Sequence, residues 1–233
     1  MCNSLLTPDQ LIDPQTRGKN SIGLNLIISR EFTEAAKMLE KCLPFMQQIV
    51  VVHDGPCYHN WFKAYCLDSG MMFIEAPSTA SCGGWPNLHR RLALANTYTD
   101  WLFQIDSDEM PSDLLLENLS SLVNRGGINC YTIPMIMVVD GKVISNYSLR
   151  KLVRILPSLQ WSMLPHIETN VPEPVSDSIP EDWCIIHTHT TDWALDRNER
   201  NSKVASVVMQ RWGDIPDVVE HVRRMTGDCR TWL

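Results

Sequence analysis

The first half of the chain alternates between short apolar runs and longer segments whose apolar positions recur at helical spacing. The apolar runs have strand length and the continuous apolar character of strands that are covered on both faces. They are IGLNLIIS (22–29), QIVVVHDGP (48–56), MMFIEAP (71–77) and WLFQID (101–106). A predicted helical segment follows each run, at residues 30–46, 58–70, 87–99 and 112–127. This alternation predicts an α/β fold with a mainly parallel sheet and helices on both of its faces.

The pattern changes at about residue 129 and predicts an α+β second half. Residues 129–145 and 150–161 have the character of hairpin strands around the Asp140-Gly141 turn. A further strand, WCIIHTH (183–189), follows a proline-rich stretch, and amphipathic helices are expected from 192 to about 225. We therefore expect one compact domain, divided into a polar lead-in (1–20), an α/β half (21–128), an α+β segment (129–191) and C-terminal helices (192–233).

Composition and charge narrow the classes of protein that this chain can represent. Its 233 residues are 44% hydrophobic and 20% charged, which is ordinary for a soluble globular domain. The net charge of −7 and the lack of any basic run argue against nucleic-acid binding, because clustered Lys and Arg hold phosphate backbones. No stretch approaches the roughly 18 consecutive apolar residues of a membrane-spanning helix, so no transmembrane segment is expected.

The cysteines and the N-terminus predict a reducing compartment. Eight cysteines are widely spaced without any C-x-x-C, which indicates reduced and mostly buried thiols instead of a disulfide framework or a zinc site. The first residues, MCNSLLTPDQ, lack the basic start and the apolar centre of a signal peptide. The expected location is the cytoplasm.

Acidic side chains follow two of the predicted parallel strands. Asp54 ends the second strand, and Asp106, Asp108 and Glu109 follow the fourth. In open parallel sheets, ligands bind beyond the carboxyl ends of the strands. Two carboxylates two positions apart face one way in extended backbone, which suits Mg²⁺ or Mn²⁺. The alternatives are that these acids flank the helix that begins near Ser112, and that Asp54 belongs to a plain Asp-Gly turn.

These segments resemble family-two glycosyltransferases, nucleotide-sugar enzymes with the fold called GT-A. The first strand with Ser-Arg-Glu (29–31) is similar to that family's opening strand followed by Asn-Glu, and QIVVVHDGP is similar to its second strand ending in Asp-Gly-Ser. Residues 89–109 resemble its Ala-Arg-Asn … Gly-Asp-Trp-Ile-Leu … Asp-Ala-Asp-Glu segment with the spacing intact. The positions with counterparts there are Arg90, Asp100, Trp101, Asp106, Asp108 and Glu109. Beyond about 115 the resemblance rests on RKLVRILP, on His166 to Glu168 and on IIHTH.

The resemblance implies a role for several of these residues. Asp54 would accept a hydrogen bond from the nucleobase, and Arg90 would lie near the nucleobase or the diphosphate. Glu31 and Asp106 would belong to the nucleotide-sugar site, with Asp106 facing both ribose and cation. Asp108 would bind the cation, Mn²⁺ or Mg²⁺, which neutralises charge on the leaving nucleoside diphosphate.

Two further roles depend on the second half of the chain. The resemblance makes Glu168 the first candidate for the catalytic base and Glu109 the second, because Glu168 matches the Glu of a late His-Glu element. An ordinary polar pair of His166 with Glu168 is an equal alternative. His187 and His189 lie two apart on a strand and face one side. The resemblance implies that one of them, His187 first and His189 equally able, completes the metal shell, whereas the alternative is a hydrogen-bonded core histidine.

The expected function is therefore that of a metal-dependent glycosyltransferase that moves a sugar from a nucleoside-diphosphate sugar of UDP or GDP type to an unidentified acceptor hydroxyl, with inversion. Residues 21–128 would bind the nucleotide, and 129–191 would form the acceptor side and complete the metal site. One alternative is a nucleotidyltransferase or phosphohydrolase, although the sequence lacks the G-x-x-x-x-G-K-[ST] and G-x-G-x-x-G phosphate cradles. Another is a non-catalytic GT-A-like domain that binds nucleotide or a protein partner.

Overall fold

The computed structural model describes residues 20–79, 86–159, 173–176 and 179–190, and the single positions 192, 206 and 210. Within this part of the chain there are nine strands and four α-helices. In chain order they are β1 (Ile22–Ile28), α1 (Phe32–Cys42), β2 (Gln48–Asp54), α2 (Asn60–Asp68), β3 (Met72–Ala76), α3 (Pro86–Ala95), β4 (Trp101–Gln104), β5 (Glu109–Pro111), α4 (Asp113–Val123), β6 (Cys130–Val139), β7 (Lys142–Arg154), β8 (Val175–Ser176) and β9 (Ile185–His189).

The nine strands form one sheet in the order β3-β2-β1-β4-β7-β6-β9-β5, with β8 paired to β6. The four strands at one end, β3, β2, β1 and β4, are parallel to one another, as the alternation predicts. Beyond them β7 and β6 are antiparallel, and β5 is antiparallel to β9. Because parallel strands end at the same edge, the residues that follow β1, β2 and β4 share one rim, which we call the carboxyl rim.

Helices cover both faces of the parallel strands, which explains why those strands are mainly apolar. In β2, Ile49 and Val51 join the large core on one face, and Val50 and Val52 join a smaller core on the other. The large core contains side chains of α1, α2 and α4, and the smaller core contains Ala93 of α3. No helix in the described part of the chain is long and apolar enough to cross a membrane.

The local signals in the sequence act as predicted. Ser112 caps α4, since its hydroxyl accepts a hydrogen bond from the Leu115 amide at 3.2 Å. Asp140 and Gly141, with φ of 47° and 77°, form the two-residue turn that joins β6 to β7. The described cysteines are buried and in no disulfide; they are Cys42, Cys57, Cys66, Cys130 and Cys184.

One strand differs from the sequence-based expectation. The sequence predicts no strand between the fourth apolar run and the helix that begins at residue 112, but Glu109–Pro111 forms the short strand β5. It is a strand because Met110 pairs with Ile186, and Pro111 with Ile185, in a contact that local sequence does not encode. Apart from the helical positions 192, 206 and 210, the predicted C-terminal helices lie outside the described residues, as does most of the polar lead-in. The division into four segments stays a prediction.

Candidate active site

The loop after β4 is a tight turn that is closed by two hydrogen bonds. The Glu109 amide donates to the Asp106 carbonyl at 3.1 Å, and the Asp106 amide donates to Glu109 Oε2 at 2.9 Å. The turn therefore holds Asp106, Ser107 and Asp108 on a fixed backbone at the carboxyl rim. Ser107 also donates its hydroxyl to Glu31 Oε2 at 3.0 Å, which ties the turn to the start of α1.

Asp106 and Glu109 share one basic partner, Lys151, and Asp106 has a second, Arg90. Lys151 of β7 lies 2.8 and 2.6 Å from the two carboxylate oxygens of Glu109 and 3.7 Å from Asp106 Oδ2. Arg90 of α3 donates to Asp106 Oδ1 at 3.1 Å. Loss of hydration disfavours the charged form of Asp106, but Lys151 and then Arg90 outweigh this effect and hold the pKa of its carboxyl well below the usual range. Burial lowers the pKa of Lys151, and the charges of Glu109 and Asp106 reverse this and raise it.

Asp108 has different neighbours, the two histidines of β9. Its Oδ1 lies 3.3 Å from His187 Nε2, and its Oδ2 lies 3.8 Å from His189 Nδ1. One potential ligand atom from each of the three residues lies within 4.8 Å of the other two. Strand pairing causes this arrangement, because Glu109 is directly opposite His187 in the β5–β9 pair and alternate residues of β9 point the same way.

A tyrosine orients one of these histidines. Tyr147 Oη of β7 lies 3.1 Å from His187 Nδ1, while His187 Nε2 faces Asp108. When Nδ1 carries the proton and donates it to Tyr147, the Nε2 lone pair is directed at the space beside Asp108. This is the arrangement in which a histidine binds a metal ion through Nε2.

Asp54 lies at the end of β2 on the same rim. Its Oδ1 accepts a hydrogen bond from the Thr79 amide at 2.6 Å, and its Oδ2 lies 3.2 Å from the Thr79 hydroxyl. The buried His89 of α3 lies 3.7 Å from Asp54 Oδ1 and 3.2 Å from the Pro77 carbonyl. Gly55 follows with φ of 92°, which allows the chain to turn sharply after the strand. The carboxylate is held in one orientation but remains partly open, with its side chain 14% exposed.

The structure brings together three of the four residues predicted to hold the cation. Asp108, His187 and His189 form the cluster of potential ligands found among the described residues, and both histidines take part in it. Asp106, also predicted to hold the ion, contacts Arg90 and Lys151, and its metal role stays a prediction. The roles assigned to Asp54, Arg90, Glu31 and Glu109 stay predictions, and Glu168 lies outside the described residues.

Two residues of β7 that contact this site were missed in the sequence. Lys151 lies in a segment whose pattern indicates only a hairpin strand, and Tyr147 lies between the two segments predicted for the hairpin. A lysine beside the apolar pair Leu152 and Val153 is a signal for Lys151, because a lysine is rarely buried without a paired acid. For Tyr147 the sequence holds no comparable signal.

The three clustered side chains fit a divalent metal ion. A carboxylate and two imidazoles are ligands that suit first-row transition ions such as Mn²⁺, whereas Mg²⁺ prefers an all-oxygen shell. Burial raises the pKa of Asp108, but a hydrogen bond from His187 outweighs burial and lowers it, so the carboxylate is ionised. The proton on His187 Nε2 that makes this hydrogen bond would be replaced by the metal ion on binding.

Comparison with known proteins identifies the fold. No protein-family profile and no curated protein sequence matches this chain significantly. Among solved structures, S. aureus TarS 1–349 in complex with UDP is 13% identical and covers 90% of this chain and 70% of its own, with a TM-score of 0.55. The same TarS fragment in complex with UDP-GlcNAc is 12% identical and covers 90% and 71%, also with a TM-score of 0.55. The chain therefore has a GT-A-type fold, as the resemblance implies.

The likeness has limits of length and identity. A longer structure of S. aureus TarS is 12% identical to this chain, with a TM-score of 0.51. That match covers 90% of this chain but 42% of the TarS chain. Glucosyl-3-phosphoglycerate synthase from Mycobacterium tuberculosis with Mn²⁺ and UDP overlaps 52% of this chain and 44% of its own at 17% identity and a TM-score of 0.38, too low to support a conclusion. At these identities the comparisons establish the fold, and function must be argued from the site.

Proposed function

We propose that this protein is a metal-dependent glycosyltransferase that moves a sugar from a nucleoside-diphosphate sugar to an acceptor hydroxyl, with inversion. The observation that carries the proposal is the cluster of Asp108, His187 and His189 on the rim of a GT-A-type sheet. Asp54, at the end of β2, is a second acidic group on the same rim.

Asp108, His187 and His189 would hold a divalent cation. Such an ion, when bound, supplies positive charge that stabilises the leaving diphosphate. The preference for Mn²⁺ over Mg²⁺ is supported by the two imidazoles, which are poorer ligands for Mg²⁺.

The chain's own groups would orient the donor. Asp54, held by Thr79 and near His89, offers a fixed acceptor for a nucleobase N–H such as the imide of uracil. A UDP-type donor is our first choice, because a protein of the same fold binds UDP and UDP-GlcNAc. Arg90 lies beside Asp106 at the same rim, where a guanidinium can contact phosphate oxygens.

Transfer requires a base for the acceptor. The hydroxyl oxygen forms a bond to the anomeric carbon, the bond to the diphosphate oxygen breaks, and a carboxylate takes the hydroxyl proton. We assign the base to Glu168 in preference to Glu109, because both oxygens of Glu109 are engaged by Lys151. The buried, reduced thiols of the described residues support a reducing compartment such as the cytoplasm.

One experiment separates this proposal from its alternatives. The protein is incubated with Mn²⁺ and either UDP-sugars or GDP-sugars, and thermal stability and released products are measured together. Stabilisation with slow release of nucleoside diphosphate supports the proposal. Release of pyrophosphate or inorganic phosphate indicates a nucleotidyltransferase or phosphohydrolase. Stabilisation without any release indicates a binding domain.

A further inference from the structure

Lys151 occupies an irregular position in β7. In the β6–β7 pair, Tyr131 is opposite Leu152 and Thr132 is opposite Arg150, so the register shifts at this point and Lys151 is the extra residue of a β-bulge. Bulges re-aim a side chain and are frequent beside active sites. Here the side chain is directed into the protein, where Lys151 is 4% exposed.

The buried amine of Lys151 contacts Glu109 in the turn of residues 106–109, and the carboxylate of Glu109 balances its charge. Lys151 Nζ lies within hydrogen-bond distance of both oxygens of Glu109, at 2.8 and 2.6 Å, and Glu109 is itself 3% exposed. A buried charge without such a partner is strongly unfavourable, so each member of the pair depends on the other.

The pair also controls the backbone of the turn. Glu109 Oε2, which Lys151 contacts, is the atom that accepts the Asp106 amide hydrogen at 2.9 Å. If Lys151 were lost, Glu109 would be a buried carboxylate without its partner and would move toward solvent. The turn that presents Asp108 would then lose one of its two closing hydrogen bonds.

We propose that Lys151 is a positioning residue that, through Glu109, fixes the turn of residues 106–109 and so sets the affinity of the Asp108 cluster for a divalent cation. The cation part of this inference rests on the proposed function, whereas the effect on the turn does not.

The test uses the double variant Lys151→Met/Glu109→Met, in which apolar side chains replace the buried pair. Such replacements of buried ion pairs often preserve stability, so the variant is expected to fold. We expect Mn²⁺ to bind about 10- to 100-fold more weakly, which is the usual effect of altering a group that supports a metal ligand. We also expect hydrogen exchange in the peptide of residues 105–109 to be faster.

The matched control is Lys41→Met/Asp113→Asn, which removes an ion pair whose side chains are 31% and 79% exposed. It should change neither the Mn²⁺ affinity nor the hydrogen exchange of residues 105–109.

The outcomes are distinguishable. A folded double variant with wild-type Mn²⁺ affinity and wild-type exchange at 105–109 would overturn the inference. If the wild-type protein binds no Mn²⁺, the metal centre of the proposed function fails, and the exchange of the turn still decides the role of Lys151. If the double variant does not fold, exchange in the wild-type protein decides. Protected Asp106 and Glu109 amides support a fixed turn, and exchange as fast as in an unstructured peptide refutes it.

Discussion

Asp108 and His187 face each other across 3.3 Å, Oδ1 to Nε2, although they lie far apart in the sequence. The contact exists because β5 pairs with β9, which places Glu109 opposite His187 and brings the residue before Glu109 beside the same side chain. Thr188 confirms the alignment, since its amide donates to the Asp108 carbonyl at 3.3 Å. A three-residue strand therefore joins the acid of the first half to the imidazoles of the second.

Replacement of Asp108 tests the metal centre directly. Asp108→Asn keeps the shape of the side chain but removes the anionic ligand, so Mn²⁺ affinity should fall by more than the roughly 10- to 100-fold effect of altering a supporting group. Titration of apo protein with Mn²⁺, followed by electron paramagnetic resonance of the free ion, measures this. Release of nucleoside diphosphate should fall in parallel, while unfolding without metal should change little.

Asp113→Asn is the control for this experiment. It makes the same chemical change at an exposed aspartate in the first turn of α4, away from the cluster. If Asp108→Asn and the control Asp113→Asn both bound Mn²⁺ as tightly as the wild type, the assignment of a metal centre to Asp108 would be wrong.

The Tyr147 hydroxyl should raise the affinity of the site for Mn²⁺ and contribute little to the free energy of unfolding. Tyr147→Phe removes the hydroxyl that lies 3.1 Å from His187 Nδ1 and leaves the ring in place. We expect Mn²⁺ affinity to fall about 10-fold, because partners of metal-bound histidines fix the tautomer and the ring orientation. Isothermal titration with Mn²⁺ and urea unfolding of the apo protein measure the two quantities separately.

Tyr131→Phe provides the opposite case. The buried Tyr131 hydroxyl donates to the Leu122 carbonyl at 2.8 Å, away from the cluster. Its loss should lower the free energy of unfolding by about 1 kcal/mol and leave Mn²⁺ affinity unchanged. The role of Tyr147 would be refuted if its variant resembled that of Tyr131.

The sequence predicts those parts of the site that depend on local pattern. A buried strand followed by an acid indicates a residue on the carboxyl rim, and Asp54 and Asp108 both lie there. The i, i+2 spacing of His187 and His189 on a strand correctly indicated a shared face. In these cases backbone geometry alone fixes the direction of the side chain.

The remainder of the site depends on contacts between distant segments. The strand β5 forms only because β9 is available to pair with it. The ion pairs of Asp106 with Arg90 and Lys151 depend on α3 and on a bulge in β7. A D-x-D spacing cannot reveal that two cations on other elements already neutralise one of its acids.

Asp54 should govern nucleotide affinity. Asp54→Asn keeps an oxygen that can accept from the Thr79 amide but removes the negative charge. A hydrogen bond to a charged group contributes about 1.5–3 kcal/mol, so the Kd for UDP should rise about 10- to 100-fold. Isothermal titration with UDP measures it, and Mn²⁺ affinity without nucleotide should be unchanged.

Asp100→Asn is a matched control for the nucleotide experiment. Asp100 precedes β4, at the opposite end of the strand from the carboxyl rim, and accepts hydrogen bonds from the Ser21 amide and hydroxyl. Asp100→Asn should lower the free energy of unfolding and leave the affinity for UDP unchanged. Equal UDP affinity in Asp54→Asn and the wild type would exclude Asp54 as a nucleobase contact.

Cys42 should make stability depend on pH in the alkaline range. Burial raises the pKa of its thiol to about 12, and the nearby Lys41 lowers it only in part. In the unfolded chain the thiol ionises near pH 8.5, so the folded state binds one more proton than the unfolded state between about 8.5 and 12. The stabilisation from Cys42 is therefore fully present below about pH 8.5 and is lost, at up to about 1.4 kcal/mol per pH unit, as the pH rises.

The variant Cys42→Ala lacks this pH dependence, because it has no thiol to ionise. In urea unfolding under reducing conditions, the advantage of the wild type over Cys42→Ala should shrink steadily from about pH 8.5 to 10. A difference that stays constant across that range would show that the buried thiol ionises as readily as an exposed one.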